Sequence, residues 1–443
     1  MKAIIIGGVA AGMSAASKIK RMSPDAQVRV YEKGGFLSYG ACGLPYYISG
    51  ENQDYRALIA RTPEQAQKLG IEPFLHHEVV KVSPQSKTVV VRDLQTNREF
   101  TDSYDRLLIA TGCRAVLPPL PGMDSAGVFL IKTMEDGLLL RKVVENQQVR
   151  RCVIMGGGYI GIEMAEALLH LGKEVTVIER ENRILTPFEP EFSQLARKEL
   201  EDNGAQVKTG ESVIQIKEMG THRELQTDKG SYPADLILVC AGVLPATDFL
   251  ADTGIRMAKN GAIVVDREMR TSLPHVYAAG DCAVAYNRMM EESFFLPFGT
   301  VANKCGRLAG GNMLGRHDKF IGALGTTAIK VCGIEMARTG MSETDARYLG
   351  LDYRTKVVHT HDHPAYYPGR SELMIKLIYE KGTLRLLGAA AAGAAGAVLR
   401  GDMFAIAIHS GMTTAELGMV DLAYAPPFAG VWDAVHIAAN AAK

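Results

Sequence analysis

No apolar run in this chain reaches the roughly 18 to 20 residues that a membrane-spanning helix needs, so no membrane association is expected. Charge of one sign is lacking too: 49 Lys and Arg balance 49 Asp and Glu, with no basic block or tail. Without such a block nothing in the sequence recruits a phosphate backbone, and nucleic acid is not expected as a partner. No paired cysteine pattern is present. The seven cysteines (Cys42, Cys113, Cys152, Cys240, Cys282, Cys305 and Cys332) are odd in number and scattered. That usage points to free thiols in a reducing compartment instead of a disulfide scaffold. Met1-Lys2 leads straight into the apolar strand Ala3-Ile4-Ile5-Ile6, so no secretory leader is expected and the expected location is cytoplasmic. The absence that narrows function most lies around Cys42. An internal dithiol needs its second sulfur within about a helical turn, and Tyr46 and Tyr47 stand there instead. If Cys42 does chemistry, its sulfur pairs with a thiol from outside the protein or is oxidised alone.

What is present is a pair of glycine-rich turns. At 443 residues the chain is long enough for two or three domains, and its 47% apolar content is ordinary for a globular protein. The first strand runs into Gly7-Gly8-Val9-Ala10-Ala11-Gly12 and then a helical stretch; the next strand, Val28-Arg29-Val30-Tyr31, ends in Glu32. Gly7 permits the tight turn, Gly12 lets helix and strand approach, the helix N-terminus can hold a pyrophosphate, and Glu32 can accept from a ribose hydroxyl. Val9 stands where the fingerprint has its middle glycine, which leaves Gly8 to supply the close backbone approach. The second copy is complete: Val153-Ile154-Met155, then Gly156-Gly157-Gly158-Tyr159-Ile160-Gly161 with Glu163 in the helix that follows, then Val175-Thr176-Val177-Ile178-Glu179. Glu179 favours a 2′-hydroxyl and hence NADH, whereas Arg180 and Arg183 beside it could accept the 2′-phosphate of NADPH. Two buried strands end in small turns, one at Ala110-Thr111-Gly112 and one at Ala278-Ala279-Gly280-Asp281. A third, Asp235 to Val239, runs into Cys240-Ala241-Gly242.

Over its whole length this layout resembles the two-dinucleotide-binding flavoproteins, the pyridine nucleotide-disulfide oxidoreductases. The resemblance implies an α/β fold with two Rossmann-like dinucleotide-binding domains, for FAD and NAD(P), plus a C-terminal α+β dimerisation domain. The expected boundaries are FAD domain 1–112 and 245–320, NAD(P) domain 113–244 and dimerisation domain 321–443. It implies that Asp281 holds the ribityl and phosphate part of FAD. The two glycine loops with Ala10, Ala11, Glu32, Ala110, Thr111, Gly112, Tyr159, Ile160, Glu163, Glu179 and Gly242 would complete the cofactor sites. The run from Gly388 to Ala397 is expected to form a packed strand-to-helix turn.

Within that family, dithiol reductases carry Cys-x4-Cys and a C-terminal His-Glu pair, both absent here. Single-cysteine NADH peroxidases and oxidases carry a histidine where this chain has Ala10. Ser38-Tyr39-Gly40-Ala41-Cys42-Gly43-Leu44-Pro45-Tyr46, Tyr366-Tyr367-Pro368-Gly369 and Ala423-Tyr424-Ala425-Pro426-Pro427 are similar to the coenzyme A disulfide reductases and the related CoA-persulfide or polysulfide reductases. That likeness implies a Cys42–S–S–CoA mixed disulfide, with Tyr366 and Tyr424 reaching in from the partner subunit of a homodimer. Ser38, Lys18 and Arg21 become candidate CoA contacts, and Asn303, Lys304 and Arg307 stand equally between that role and ordinary solvated charge. Ala41 departs from the asparagine that several members have, which bears on affinity for CoA. Cys42 at the start of a helix is expected to feel the positive end of the dipole, favouring thiolate. Two further readings stay open: an NADH oxidase or peroxidase using a Cys42 sulfenate, and a flavoprotein redox sensor. His359, His361 and His363 would share one face if the whole segment were a strand, but no step in this chemistry needs a metal, and none is expected.

Overall fold

The computed structural model describes residues 1–220 and 222–443. The apolar run at the N-terminus lies in the middle of a five-stranded parallel sheet ordered Val276–Ala278, Arg106–Ile109, Lys2–Ile6, Gln27–Tyr31, Ile71–Phe74. The inner strands are short, with apolar residues at every fully buried position and only Lys2, Gln27, Arg29 and Arg106 partly exposed, as a parallel sheet covered on both faces requires. Its edge strand Val276–Ala278 comes from far downstream of its neighbour Arg106–Ile109. Between them the chain builds a second parallel sheet, ordered Gln206–Thr209, Glu174–Glu179, Arg151–Met155, Leu236–Val239, Val128–Phe129. It leaves along Cys113–Ala115 and returns along Val243–Pro245, and these two segments pair antiparallel.

The helix that follows the first glycine loop, Ala10–Met22, packs on the later helix Gly299–Asn312 through glycine. A Cβ on Gly306 would lie 2.2 Å from the Ala11 carbonyl oxygen, and one on Gly310 2.6 Å from that of Ala15. Backbone therefore meets backbone, and the first glycine loop is fixed from behind.

A third sheet is antiparallel: Thr327–Val331, Ile334–Gly340, Leu386–Gly393, Glu372–Glu380, Tyr353–His361. Leu373, Ile375 and Leu377 face Phe404, Val435 and Ala438 on the helices Ala397–Ser410 and Ala434–Ala441. The Gly388–Ala397 run corrects the sequence reading. Most of it is the central strand of this sheet, and only residues 394–396 turn into the helix. The residues are small because neighbours press on them: a Cβ on Gly388 would lie 1.9 Å from the Met341 carbonyl oxygen. Among the described residues no helix is long and apolar enough to cross a membrane.

The other face of Glu372–Glu380 presents Lys376, buried, with its ammonium 3.2 Å from Glu189, 2.7 Å from Glu191 and 2.6 Å from Glu343. Burial alone would discharge the amine; the carboxylates overcome that and hold its pKa above the ordinary lysine range. Glu189 and Glu191 begin the helix Pro190–Asp202 of the second layer, so this ammonium ties the third sheet to it. Removing the cation leaves the Glu189, Glu191 and Glu343 carboxylates facing one another without the ammonium between them. Lys376→Met should therefore lower unfolding stability by about 3–5 kcal/mol, read as a fall in the urea midpoint.

Candidate active site

The two glycine turns adopt the same geometry. Gly7 and Gly156 have φ of 103° and 113°, in the left-handed half of the map that a side chain disfavours. A Cβ on Gly12 would meet the Gly7 carbonyl oxygen at 1.9 Å, and one on Gly161 the Gly156 oxygen at 2.0 Å. Both following helices, Ala10–Met22 and Tyr159–His170, start without a side-chain cap, whereas Thr133 and Ser342 cap the helices Met134–Val144 and Glu343–Tyr348. The first-turn amides of the two glycine-loop helices are thus left for an anion. The acidic residues close each loop: Glu32 accepts from the Gly8 amide at 2.7 Å and Glu179 from the Gly157 amide at 2.6 Å. Burial pushes the Glu32 carboxyl up against the pull of the Gly34 and Gly8 amides. Gly8 is required by packing inside the protein, since a Cβ there would strike Leu37 at 2.4 Å; around Gly158 nothing lies within 4 Å. Gly112 and Gly242 likewise face open space. Tyr159 turns to the third sheet, its hydroxyl 2.7 Å from Thr327 Oγ1, and Ile160 is exposed. Arg183 is occupied by the Thr186 carbonyl and Arg180 points into solvent beside Glu181.

Cys42 sits in a single 3-10 turn, Ala41–Gly43, just ahead of the helix Leu44–Ser49 that Pro45 opens. The loop is anchored to the first glycine turn through Ser38, whose φ of 45° is held by its amide bonding the Gly8 carbonyl and its carbonyl receiving Ala60. Cys42 is open to solvent, and all seven cysteines are free thiols. The expected thiolate bias is not found. The protein around the sulfur raises the Cys42 pKa, chiefly by desolvation and then through the Glu163 carboxylate, with Lys132 opposing and Asp281 adding to the rise. A six-residue helix is worth too little to outweigh these, since helix-end effects are of order 0.3–1 kcal/mol. Glu163 is itself pushed up to about 7 by burial and by Glu166.

Sequence reasoning missed Lys132 and Cys113. The Lys132 ammonium and the Cys113 thiol both lie 3.4 Å from Asp281 Oδ2. Lys132 is set by the box that starts the next helix, its amide donating to Asp136 at 3.0 Å. Burial pushes the Cys113 thiol up to about 11. Only a lone lysine before a capping Thr-x-x-Asp stood in the sequence as a signal. Ala110 and Thr111 follow the strand Arg106–Ile109 next to this group, and Thr111 Oγ1 is buried without a hydrogen-bonding partner.

Lys18 and Arg21 project from the first helix, where Arg21 bonds the Ser17 carbonyl at 3.2 Å. Arg61, a third cation that the sequence gave no reason to choose, reaches Ser17 Oγ. Asn303 joins this helix through Ser14, 2.7 Å away, while Lys304 and Arg307 are exposed on the same helix as Asn303. Tyr366 and Tyr424, far apart in sequence, meet hydroxyl to hydroxyl at 2.7 Å, and both are exposed, at 71% and 46%. The histidines do not share a face. His359 and His361 lie on the strand, but His363 follows it and turns inward, 3.0 Å from the Asp362 carboxylate. Among the described residues no three metal-ligating side chains converge.

Residues 1–293 match the family described as pyridine nucleotide-disulphide oxidoreductase, and residues 326–435 match the dimerisation domain of the same group. The chain belongs to the pyridine nucleotide-disulphide oxidoreductase family. It is 36% identical to a Pyrococcus abyssi protein named NAD(P)H sulfur oxidoreductase (CoA-dependent), over 99% of this chain and 98% of that one. It superposes on an NAD-dependent persulfide reductase from A. fulgidus with a TM-score of 0.95 at 35% identity, covering 99% of this chain and 82% of that one. On the water-forming NADH oxidase from Lactobacillus brevis the TM-score is 0.96 at 32% identity, covering 100% and 98%. The protein is a flavin-dependent NAD(P)H oxidoreductase with a dimerisation domain. The uncapped helices, the open glycine loops and the unpartnered Thr111 hydroxyl fit a flavin and a nicotinamide nucleotide.

After desolvation, the Glu163 carboxylate is the next largest influence that disfavours the Cys42 thiolate, so removing it should lower the thiol pKa. At pH 8, where Glu163 is mostly ionised, Glu163→Gln should speed alkylation of Cys42 by iodoacetamide about threefold. Peptide mapping by mass spectrometry measures the rate at this one cysteine.

Proposed function

We propose that this enzyme reduces a disulfide, persulfide or polysulfide of coenzyme A with NAD(P)H, through FAD and through Cys42 as its single redox cysteine. The observation that carries the reading is a solvent-open lone thiol in the Ser38–Tyr46 loop. The hydrogen-bonded pair of exposed tyrosines adds to it, and the CoA-dependent name of the Pyrococcus relative agrees with it.

In this reading residues 1–112 and 245–320 hold FAD. The Gly7–Gly12 turn takes its pyrophosphate, Glu32 its ribose, Ala110, Thr111 and Gly112 its inner edge, and Asp281 its ribityl chain. Residues 113–244 hold the nicotinamide nucleotide on Gly156–Gly161, with Glu163, Glu179 and Gly242. NADH is favoured, because Glu179 repels a 2′-phosphate and Arg183 is already occupied. The flavin, when bound, accepts a hydride from the nicotinamide and delivers its electron pair to sulfur. Lys132, paired with Asp281, keeps a positive charge beside Cys42, which favours the thiolate whenever the thiol gives up its proton.

The Cys42 thiolate attacks CoA disulfide, forming Cys42–S–S–CoA and releasing one CoA thiolate. The electron pair then breaks this bond, restoring Cys42 and releasing the second CoA. Each departing sulfur needs a proton, and the Tyr366–Tyr424 pair of the partner subunit supplies a donor. Residues 321–443 form the homodimer interface in this scheme. Phe428, Val431 and Trp432, at 76%, 70% and 55% exposure, are large apolar side chains that a partner would cover. Lys18, Arg21 and Ser38 contact the bound CoA.

A second reading, an NADH oxidase working through a Cys42 sulfenate, draws on the likeness to the Lactobacillus brevis enzyme. Against it stands Ala10, which offers no proton to a peroxide. Intact mass in denaturant separates the two. Loss of one CoA from Cys42 on treatment with a thiol reductant is the expected result, whereas only one or two added oxygens, with rapid oxygen uptake on NADH, would favour the oxidase.

Truncating the tyrosines should split the catalytic cycle. In Tyr366→Phe and Tyr424→Phe, CoA-disulfide reduction should fall by roughly 10²-fold, the scale of a lost proton donor, while bleaching of the flavin by NADH stays at the wild-type rate. Stopped-flow absorbance follows both steps.

A further inference from the structure

Tyr366 and Tyr424 sit in two loops that belong to no strand or helix, yet their hydroxyls lie 2.7 Å apart. Both loops hang from one buried side chain. Arg400, on the helix Ala397–Ser410, is only 6% exposed. Its Nη2 donates to the Asp362 carbonyl at 2.9 Å, at the neck of the Tyr366 loop. The same nitrogen lies 3.5 Å from the Phe428 carbonyl, in the loop that follows Tyr424. Nε and Nη2 hold Asp433 at 3.1 and 2.7 Å, and Nη1 reaches the Gly396 carbonyl at 3.1 Å.

Each attachment is stiff. The Asp362 carboxylate accepts from the Ser371 amide at 2.9 Å and its hydroxyl at 2.8 Å, closing the Tyr366 loop at its base. Asp433 caps the helix Ala434–Ala441 through the Val435 amide at 2.8 Å, fixing the far end of the Tyr424 loop. A guanidinium can do this because its donors form a rigid planar fork; an ammonium is a point charge that cannot hold a carboxylate side-on and two carbonyls together.

We infer that Arg400 is a positioning residue for the tyrosine pair, aligning both loops so that the two hydroxyls present one proton donor. The role deepens the proposed function and rests on the tyrosines serving the departing CoA thiolate.

The test uses the FAD-loaded dimer carrying Arg400→Lys, with three readouts: flavin bleaching by NADH, the disulfide step with CoA disulfide, and the ionisation of Tyr366 followed by ¹³C-tyrosine NMR. The hydrogen bond that Tyr366 shares with Tyr424 raises the Tyr366 pKa, so separation of the pair should return it toward that of a free tyrosine. We expect bleaching within about twofold of wild type and a disulfide step slower by roughly 10-fold or more, with kcat falling more than KM rises. A folded Arg400→Lys enzyme with the disulfide step and Tyr366 ionisation both unchanged overturns the inference. Should that variant fail to fold, Asp433→Asn, which keeps a capping oxygen but weakens the grip on the guanidinium, is expected to shift the same two readouts in the same direction by less; no shift in either overturns the inference equally. Full disulfide reduction by Tyr366→Phe and Tyr424→Phe would instead remove the reading of the tyrosines, and the NMR titration would still decide whether Arg400 sets their geometry.

Discussion

Backbone pressed on backbone at the two glycine turns is the constraint from which the rest of the molecule follows. With no Cβ at Gly12 and Gly161, each helix starts against the carbonyl of the turn before it, at a distance where any side chain would collide. Gly306 and Gly310 extend the same contact to a second helix behind the first loop. The helix starts are therefore rigid, and no side chain caps them, so their free amides form an anion site that exists before any ligand arrives. Pre-formed sites of this kind bind without a cost of reordering, which suits an enzyme that must hold one nucleotide and exchange another.

Around Cys42 the balance is electrostatic. The loop exposes the sulfur to solvent on one side while burial and Glu163 resist its ionisation, with Lys132 the nearby opposing charge. Lys132 is itself bound to Asp281, so the cation is partly neutralised in the protein alone. In the protein alone the surroundings thus disfavour ionisation of this thiol. Charge also links the layers: Lys376, on a strand of the third sheet, is buried against acidic residues at the start of a helix that belongs to the second.

The places where the sequence misled share a cause. Gly388–Gly393 looks like a turn because glycine and alanine lack side chains to pack, but in the centre of a sheet the scarce quantity is room, and small residues are what fit. The Cys42 loop looks like a helix start, yet a six-residue helix contributes less than the desolvation around the sulfur, and the charges beside it, Glu163, Lys132 and Asp281, come from distant parts of the chain. His363 leaves the face it would share with His359 and His361 because the strand ends at His361 and Asp362 turns inward to Ser371.

Short-range spacing sufficed for the two strand–glycine–helix units, their terminal acids Glu32 and Glu179, the isolation of Cys42 from any second thiol and the small turns at Thr111 and Asp281. Each is a local pattern whose physics closes within a few turns of chain. Folding alone could bring Lys132 and Cys113 to Asp281, Arg61 to the first helix, and Tyr366 to Tyr424 over the Arg400 fork. Those pairings join residues with no periodic or spacing relation, and their energies arise from burial and charge that exist only once the layers have closed.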